Sequence, residues 1–119
     1  MNDMKFIEYW WVHLKSNPKW DNKDERHKGL MEGHFAFINR QGDEGNLFAA
    51  IPMSPSGGQY WFDGELPEEQ VREIIANEPS IGTVFIHEMK RAYVQEHLAS
   101  FTLEEKKRLD QSRLTPHQD

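Results

Sequence analysis

The sequence contains two ionisable residues, His34 and Glu78, at positions where the spacing of neighbouring apolar residues predicts burial. On the helix predicted around His34, four apolar side chains fall within about 60° of the imidazole, at about 100° per residue. They are Leu30, Met31, Phe37 and Ile38. A histidine at the centre of a buried face is a candidate general base. A core histidine satisfied by one hydrogen bond is the alternative interpretation.

Glu78 extends the apolar stripe of a second predicted helix, since it follows Ile74 by four residues and Ile75 by three. It also comes at the C-terminus of that helix, where the helix dipole disfavours a negative charge. Desolvation and the dipole together predict a raised pKa for its carboxyl group, as a general acid or base near neutrality requires. A solvent-exposed cap residue in front of Pro79 is the alternative.

The elements that must position these residues follow from periodicity. "KFIEYWWVHL", residues 5–14, predicts a strand buried on both faces, with an amphipathic helix as the alternative. A helix follows from about Asp24 to Gln41, and "LFAAIPM" and "QYWF" around "SPSGG" predict a hairpin. A second helix with Pro67 in its first turn ends at "NEPS", and "GTVFIHEMKRAYV", residues 82–94, is the last predicted strand.

This order predicts a ferredoxin-like βαββαβ fold, with a four-stranded antiparallel sheet and two helices on one face. The other face would be bare, yet the first strand is apolar on both sides. Burial against a second subunit solves this, so we expect a homodimer. We assign residues 1–94 to the domain and 95–119 to a polar tail, which a Thr102/Glu105 capping box predicts to be helical from Leu103.

Composition narrows the class of protein. The 119 residues fit one domain, and 12% aromatic content with four Trp predicts a compact core. There is no Cys, which excludes a disulfide framework and a thiolate site. No signal-peptide pattern or membrane-spanning run is present, so we expect a cytoplasmic protein that does not bind membranes. Residues 42–82 carry eight carboxylates and one cation, which argues against nucleic-acid binding.

Metal and cofactor binding are not predicted. The six His show no convergent spacing, and in "HEMKR" Arg91 takes the place of a second zinc-binding His. "SPSGG" lacks the lysine of a phosphate-binding loop, and no nucleophile elbow surrounds any Ser.

Several segments together resemble the YciI-like (YCII-related) family. They are "NPKWD", "GHFAFINRQGDEGNLFAAIPM", "GGQYWFDGELPEEQVREIIANEPSI" and "FIHEMKR". Members of that family are similar in fold to muconolactone isomerases, which implies a dimeric α+β barrel-type assembly. The resemblance spans roughly residues 4–94 and lies in the order of the motifs, none of which is specific alone.

The resemblance also implies a site. The family's histidine–aspartate dyad corresponds to His34 and Glu78, with Glu replacing the family's Asp before Pro. The family's Ala-Gly-Pro strand end appears as Ala50-Ile51-Pro52, and the extra Ile side chain would narrow the pocket. We therefore predict Ile51, Pro52 and Trp11 as substrate-pocket residues.

These features favour a small homodimeric enzyme that acts on a small, cyclic or aromatic organic molecule by acid–base chemistry, of the lyase or isomerase type. A non-enzymatic small-molecule-binding or regulatory module on the same fold is one alternative. An acidic protein-binding module that uses residues 42–82 is another.

Overall fold

The computed structural model describes residues 6–95. Four strands and two helices follow one another in the predicted order. They are β1 (Phe6–Ser16), α1 (His27–Asp43), β2 (Leu47–Pro52), β3 (Gly58–Asp63), α2 (Glu68–Ala76) and β4 (Phe85–Gln95). The predicted C-terminal helix lies outside the described residues. Within residues 6–95, neither helix is long and apolar enough to cross a lipid bilayer.

The strands form one antiparallel sheet in the order β2-β3-β1-β4. Central strand β3 pairs with β1, placing Trp11 opposite Trp61 and Val12 opposite Tyr60. It also pairs with β2, with an irregularity between Leu47 and Ala49. The α+β class, the four-stranded sheet and the two helices are therefore confirmed, and the topology is compatible with a ferredoxin-like fold.

Both helices pack on the same face of the sheet. One cluster of buried side chains joins Val12 and Leu14 of β1 to Phe62 of β3, Phe37 of α1 and Ile75 of α2. Alternation along a strand sends every second side chain to this face. The core therefore lies between the sheet and the helices.

The opposite face of the central strands carries aromatic side chains. Tyr9 stacks on Trp61 with ring centroids 4.8 Å apart. The ammonium group of Lys90 lies 5.7 Å from the Trp11 ring centroid. Strand β1 thus has large apolar groups on both faces, as its sequence predicted. Tyr9 is buried, whereas Trp11 and Trp61 are partly exposed.

Element boundaries differ from the sequence prediction for local reasons. Helix α1 begins at His27 rather than Asp24, because the Asp24 carboxylate accepts from the Arg26 backbone N–H and forms a turn instead. It ends at Asp43, two residues later than predicted, and Gly45 follows with φ of 79°. Strand β4 begins at Phe85 rather than Gly82, because the Phe85 N–H donates to the Ser80 carbonyl in a preceding turn.

Residues Glu8–Ala92 form one compact unit. The described residues outside it are Phe6 and Ile7 of β1 and Tyr93–Gln95 of β4. Both residues that the sequence singled out for chemistry, His34 and Glu78, lie within Glu8–Ala92.

Candidate functional site

His34 lies on the core face of α1, with 9% of its surface exposed. Its neighbours on the helix include Phe37, which is fully buried. Its ring also lies 5.7 Å from that of Phe85, at the start of β4. The placement agrees with the predicted buried face, and the hydrogen-bond partners of the imidazole determine what it can do.

Glu78 lies just after α2 and is buried, with 1% of its surface exposed. Its Oε2 is 3.1 Å from His34 Nδ1. The structure therefore brings together the two residues that the sequence singled out, although 44 positions separate them. The alternative interpretation of Glu78 as a solvent-exposed cap is wrong.

A glycine allows the close approach of α1 to the segment that carries Glu78. A Cβ atom at Gly33 would lie 2.6 Å from Pro79 Cγ. Any side chain at position 33 would therefore push Pro79 away from the helix. His34 follows Gly33 and Glu78 precedes Pro79, so the missing side chain at position 33 permits the close approach of these two residues.

Tyr60 and Ser80 complete the cluster, and neither was identified from the sequence. The Tyr60 hydroxyl donates to Glu78 Oε2 over 3.1 Å and lies 3.0 Å from His34 Nδ1. The Ser80 hydroxyl contacts both carboxylate oxygens and lies 3.1 Å from Nδ1. Side chains alternate between the two faces of a strand, and in "QYWF" this alternation places Tyr60 on the inward-facing side. The sequence therefore did contain a signal for Tyr60. Nothing in the sequence pointed to Ser80.

The carboxyl group of Glu78 favours its charged form. Burial raises the pKa of Glu78, but hydrogen bonds from His34 and from the hydroxyl and backbone N–H of Ser80 outweigh it, so the pKa lies below the ordinary 4.5. The prediction of a raised pKa for Glu78 is therefore wrong. Burial and the nearby Glu78 carboxylate raise the pKa of Tyr60, which stays protonated.

These charge states determine which nitrogen of His34 carries the proton. An ionised Glu78 only accepts hydrogen bonds, and the Tyr60 and Ser80 hydroxyls donate their protons to it. All three neighbours thus present oxygen lone pairs to Nδ1, so Nδ1 is the protonated nitrogen of neutral His34. Among the described residues, none hydrogen-bonds to the other nitrogen, Nε2. Nε2 is therefore left as a free acceptor.

A cavity of about 80 Å³ lies beside this cluster, and His34 forms part of its wall. Most of the wall is apolar, and side chains with polar groups come from His34, Gln59 and Tyr60. The predicted pocket residues Ile51 and Pro52 also line it. Both are exposed to solvent, as is Phe35 on the same wall, so the cavity reaches the surface.

Trp11 does not line this cavity. It lies on the sheet face opposite the helices, where its ring is 5.2 Å from that of His13. Glu78 does not line the cavity either, and its carboxylate hydrogen-bonds to His34 Nδ1. Imidazole is therefore the group through which the buried carboxylate would act on a ligand.

The other polar residues near α1 have structural partners. His27 Nδ1 accepts from Trp20 Nε1 over 3.0 Å, at the start of the helix. Gln41 is buried and accepts from the Asn46 side chain. No group of three or more His, Asp or Glu side chains within residues 6–95 has a geometry that could hold a metal ion.

No protein-family model, curated protein or solved structure matches the chain.

Proposed function

We propose that His34 acts as a general base and acid on a small organic molecule held in the cavity, with Glu78 orienting it. The contact between Nδ1 and the buried carboxylate carries this proposal. It leaves Nε2 with a free lone pair on a side chain that forms part of the cavity wall. The carboxylate also stabilises the imidazolium that forms when Nε2 takes a proton.

The reaction would begin when Nε2 removes a proton from a C–H or O–H group of the substrate. The imidazolium then returns this proton to a second atom of the same molecule, which is an isomerisation. If it instead protonates a departing group, the reaction is that of a lyase. The Ser80 hydroxyl is fully buried and donates to Glu78, so it does not serve as a nucleophile toward the cavity.

The cavity volume indicates which substrates fit inside it. The cavity measures about 80 Å³. An apolar cavity that accepts benzene measures about 150 Å³. A small acyclic molecule therefore fits within the cavity as it stands, whereas the cyclic or aromatic substrate expected from the sequence would extend past the rim at Phe35 and Ile51 toward solvent.

We also propose that the chain is a YciI-like protein that forms a homodimer of the dimeric α+β barrel type. The element order and the pairing of His34 with Glu78 support the family assignment. The aromatic outer face of the sheet, formed by Tyr9, Trp11 and Trp61, supports the dimer, because Tyr and Trp are enriched where protein surfaces meet. A cytoplasmic location stays a prediction from the sequence.

The test of the catalytic proposal is a thermal-shift screen with two- to four-carbon hydroxy acids, oxo acids, amides and aldehydes. Wild type is compared with His34→Gln and with His87→Gln, a control at an exposed position on β4. A ligand that binds the native state raises its melting temperature by mass action. We expect compounds that stabilise wild type and His87→Gln but lose their effect in His34→Gln.

Hits are then incubated with protein in D₂O and followed by proton NMR. A general base that removes a C–H proton exchanges it for deuterium, and we expect His34→Gln to slow this exchange by roughly 10²- to 10⁴-fold. Hits that bind through His34 but show no exchange and no conversion would favour the non-enzymatic binding module. A His34→Gln protein that is destabilised yet exchanges and binds like wild type would refute the catalytic role.

A further inference from the structure

Ser80 makes more contacts with the His34–Glu78 pair than a space-filling residue needs. It is fully buried. Its backbone N–H donates to Glu78 Oε1 over 2.7 Å. Its hydroxyl lies 2.7 Å from Oε1 and 2.6 Å from Oε2 of the same carboxylate. The hydroxyl also lies 3.1 Å from His34 Nδ1, so it bridges both members of the pair.

A serine hydroxyl has a single proton, which decides how it bridges. It can donate once, and its lone pairs accept from other groups. The distances to the carboxylate are short, as expected for a donor to an ionised acceptor. The proton therefore goes to Glu78, and a lone pair is presented to Nδ1. In this arrangement Ser80 opposes the tautomer of His34 in which Nδ1 is unprotonated.

We propose that Ser80 is a positioning residue, whose hydroxyl keeps Glu78 in the ionised form that accepts from His34 Nδ1 and so keeps the free lone pair of His34 at Nε2. This inference rests on the proposed role of the His34–Glu78 pair. It assigns Ser80 no contact with the substrate, since Ser80 is absent from the cavity wall.

Within residues 6–95, the titratable groups that hydrogen-bond to the Glu78 side chain are His34 from α1 and Tyr60 from β3. Tyr60 donates one hydrogen bond, and the Ser80 backbone donates another that no side-chain substitution removes. The Ser80 hydroxyl is thus a charge-assisted donor that can be deleted alone. From the strength of such bonds, its loss should raise the pH at which Glu78 takes up a proton by about one to two pH units.

The experiment is a pH titration of the unliganded protein by NMR, which follows the Glu78 side-chain carboxyl carbon and the His34 ring nitrogens. We expect Ser80→Ala to shift the Glu78 titration upward by about one to two pH units and Ser80→Cys, with its weaker donor, to shift it less. Once a substrate is known, the acid limb of the turnover profile should move in the same direction.

Thr83→Val is the matched control. The Thr83 hydroxyl donates to the carbonyls of Pro79 and Ser80 in the same turn, without a hydrogen bond to His34 or Glu78. This variant tests whether loosening the turn is enough to shift the Glu78 titration. We expect Thr83→Val to leave that titration unchanged. An unshifted titration in Ser80→Ala, or an equal shift in Thr83→Val, would overturn the proposal and leave Ser80 a structural residue.

The titration requires no substrate. A failure of the ligand screen therefore leaves this result intact, and a failure of the titration leaves the proposed function of His34 and Glu78 open to its own test.

Discussion

Replacing Glu78 with Gln changes the charge of the buried cluster while keeping its shape. Ser80 donates through its backbone N–H to the Oε1 position, so the amide oxygen of the substituted side chain must occupy that position. The amide NH₂ group then takes the Oε2 position, 3.1 Å from His34 Nδ1. Two N–H donors cannot face each other at this distance. We therefore expect neutral His34 to lose its proton at Nδ1 and carry it at Nε2.

The effects on stability and on activity should differ in size. Loss of charge-assisted hydrogen bonds costs about 1.5–3 kcal/mol each, and removal of a buried charge offsets several kcal/mol. The Tyr60 and Ser80 hydroxyls can rotate to accept from the new amide, so the free energy of unfolding should fall by less than about 3 kcal/mol. A histidine base held in the wrong tautomer loses about 10⁴-fold in turnover. Expressed as a free energy, the loss of turnover should thus exceed the loss of stability.

The assay is long-range ¹H–¹⁵N NMR of the imidazole, which distinguishes an Nδ1–H from an Nε2–H tautomer in the unliganded protein. Glu73→Gln, at an exposed position on α2, is the matched control and should leave the His34 spectrum unchanged. Denaturant unfolding of all three proteins measures stability. If His34 keeps its proton at Nδ1 in Glu78→Gln, the carboxylate does not set the tautomer and the reasoning is refuted.

Packing, acid stability and assembly offer three further tests. Gly33→Ala should destabilise the protein by about 1–3 kcal/mol relative to Gly29→Ala, because a methyl group at position 33 meets Pro79 whereas one at position 29 meets nothing within 4 Å; equal denaturant midpoints would contradict this. Since the pKa of Glu78 is lowered below 4.5 in the folded state, its contribution to stability is present above that pH and is lost as the pH falls through the folded-state pKa. As the pH falls, Glu78→Gln should therefore lose less stability than wild type, which unfolding experiments at acid pH would measure. Parallel curves of stability against pH for the two proteins would contradict this prediction. Sedimentation should give a dimer at micromolar concentration that Trp11→Asp weakens; a monomeric wild type would remove the case for a buried outer face.

The sequence predicted the elements well because their signals are local. Period-two alternation in "QYWF" and the apolar residues of "KFIEYWWVHL" identify β3 and β1 directly. The boundaries were less accurate where short-range hydrogen bonds compete with the helix or strand, as at Asp24 and in the turn before Phe85. Such competition depends on backbone geometry, which periodicity does not report.

The sequence also identified both members of the buried pair, because a polar residue on an apolar stripe is visible from spacing alone. It contained no measure of the distance between them. That distance depends on how closely α1 approaches the segment after α2, and the missing side chain at Gly33 permits the approach. A glycine within a helix showed no sign of this role until the packing was known.

The sequence by itself determined the order of elements, the burial of His34 and the unusual apolar placement of Glu78, since each depends on residues within a turn or two. Only the tertiary structure decided the charge of Glu78. Burial and the end of a helix both predicted a raised pKa, yet Ser80 and the distant His34 supply donors that reverse the sign. His34 and Tyr60 are 44 and 18 residues away from Glu78 in the chain and become its neighbours only when the sheet and helices pack. The electrostatics of a buried group are set by whatever packing places around it, and a local pattern cannot contain that information.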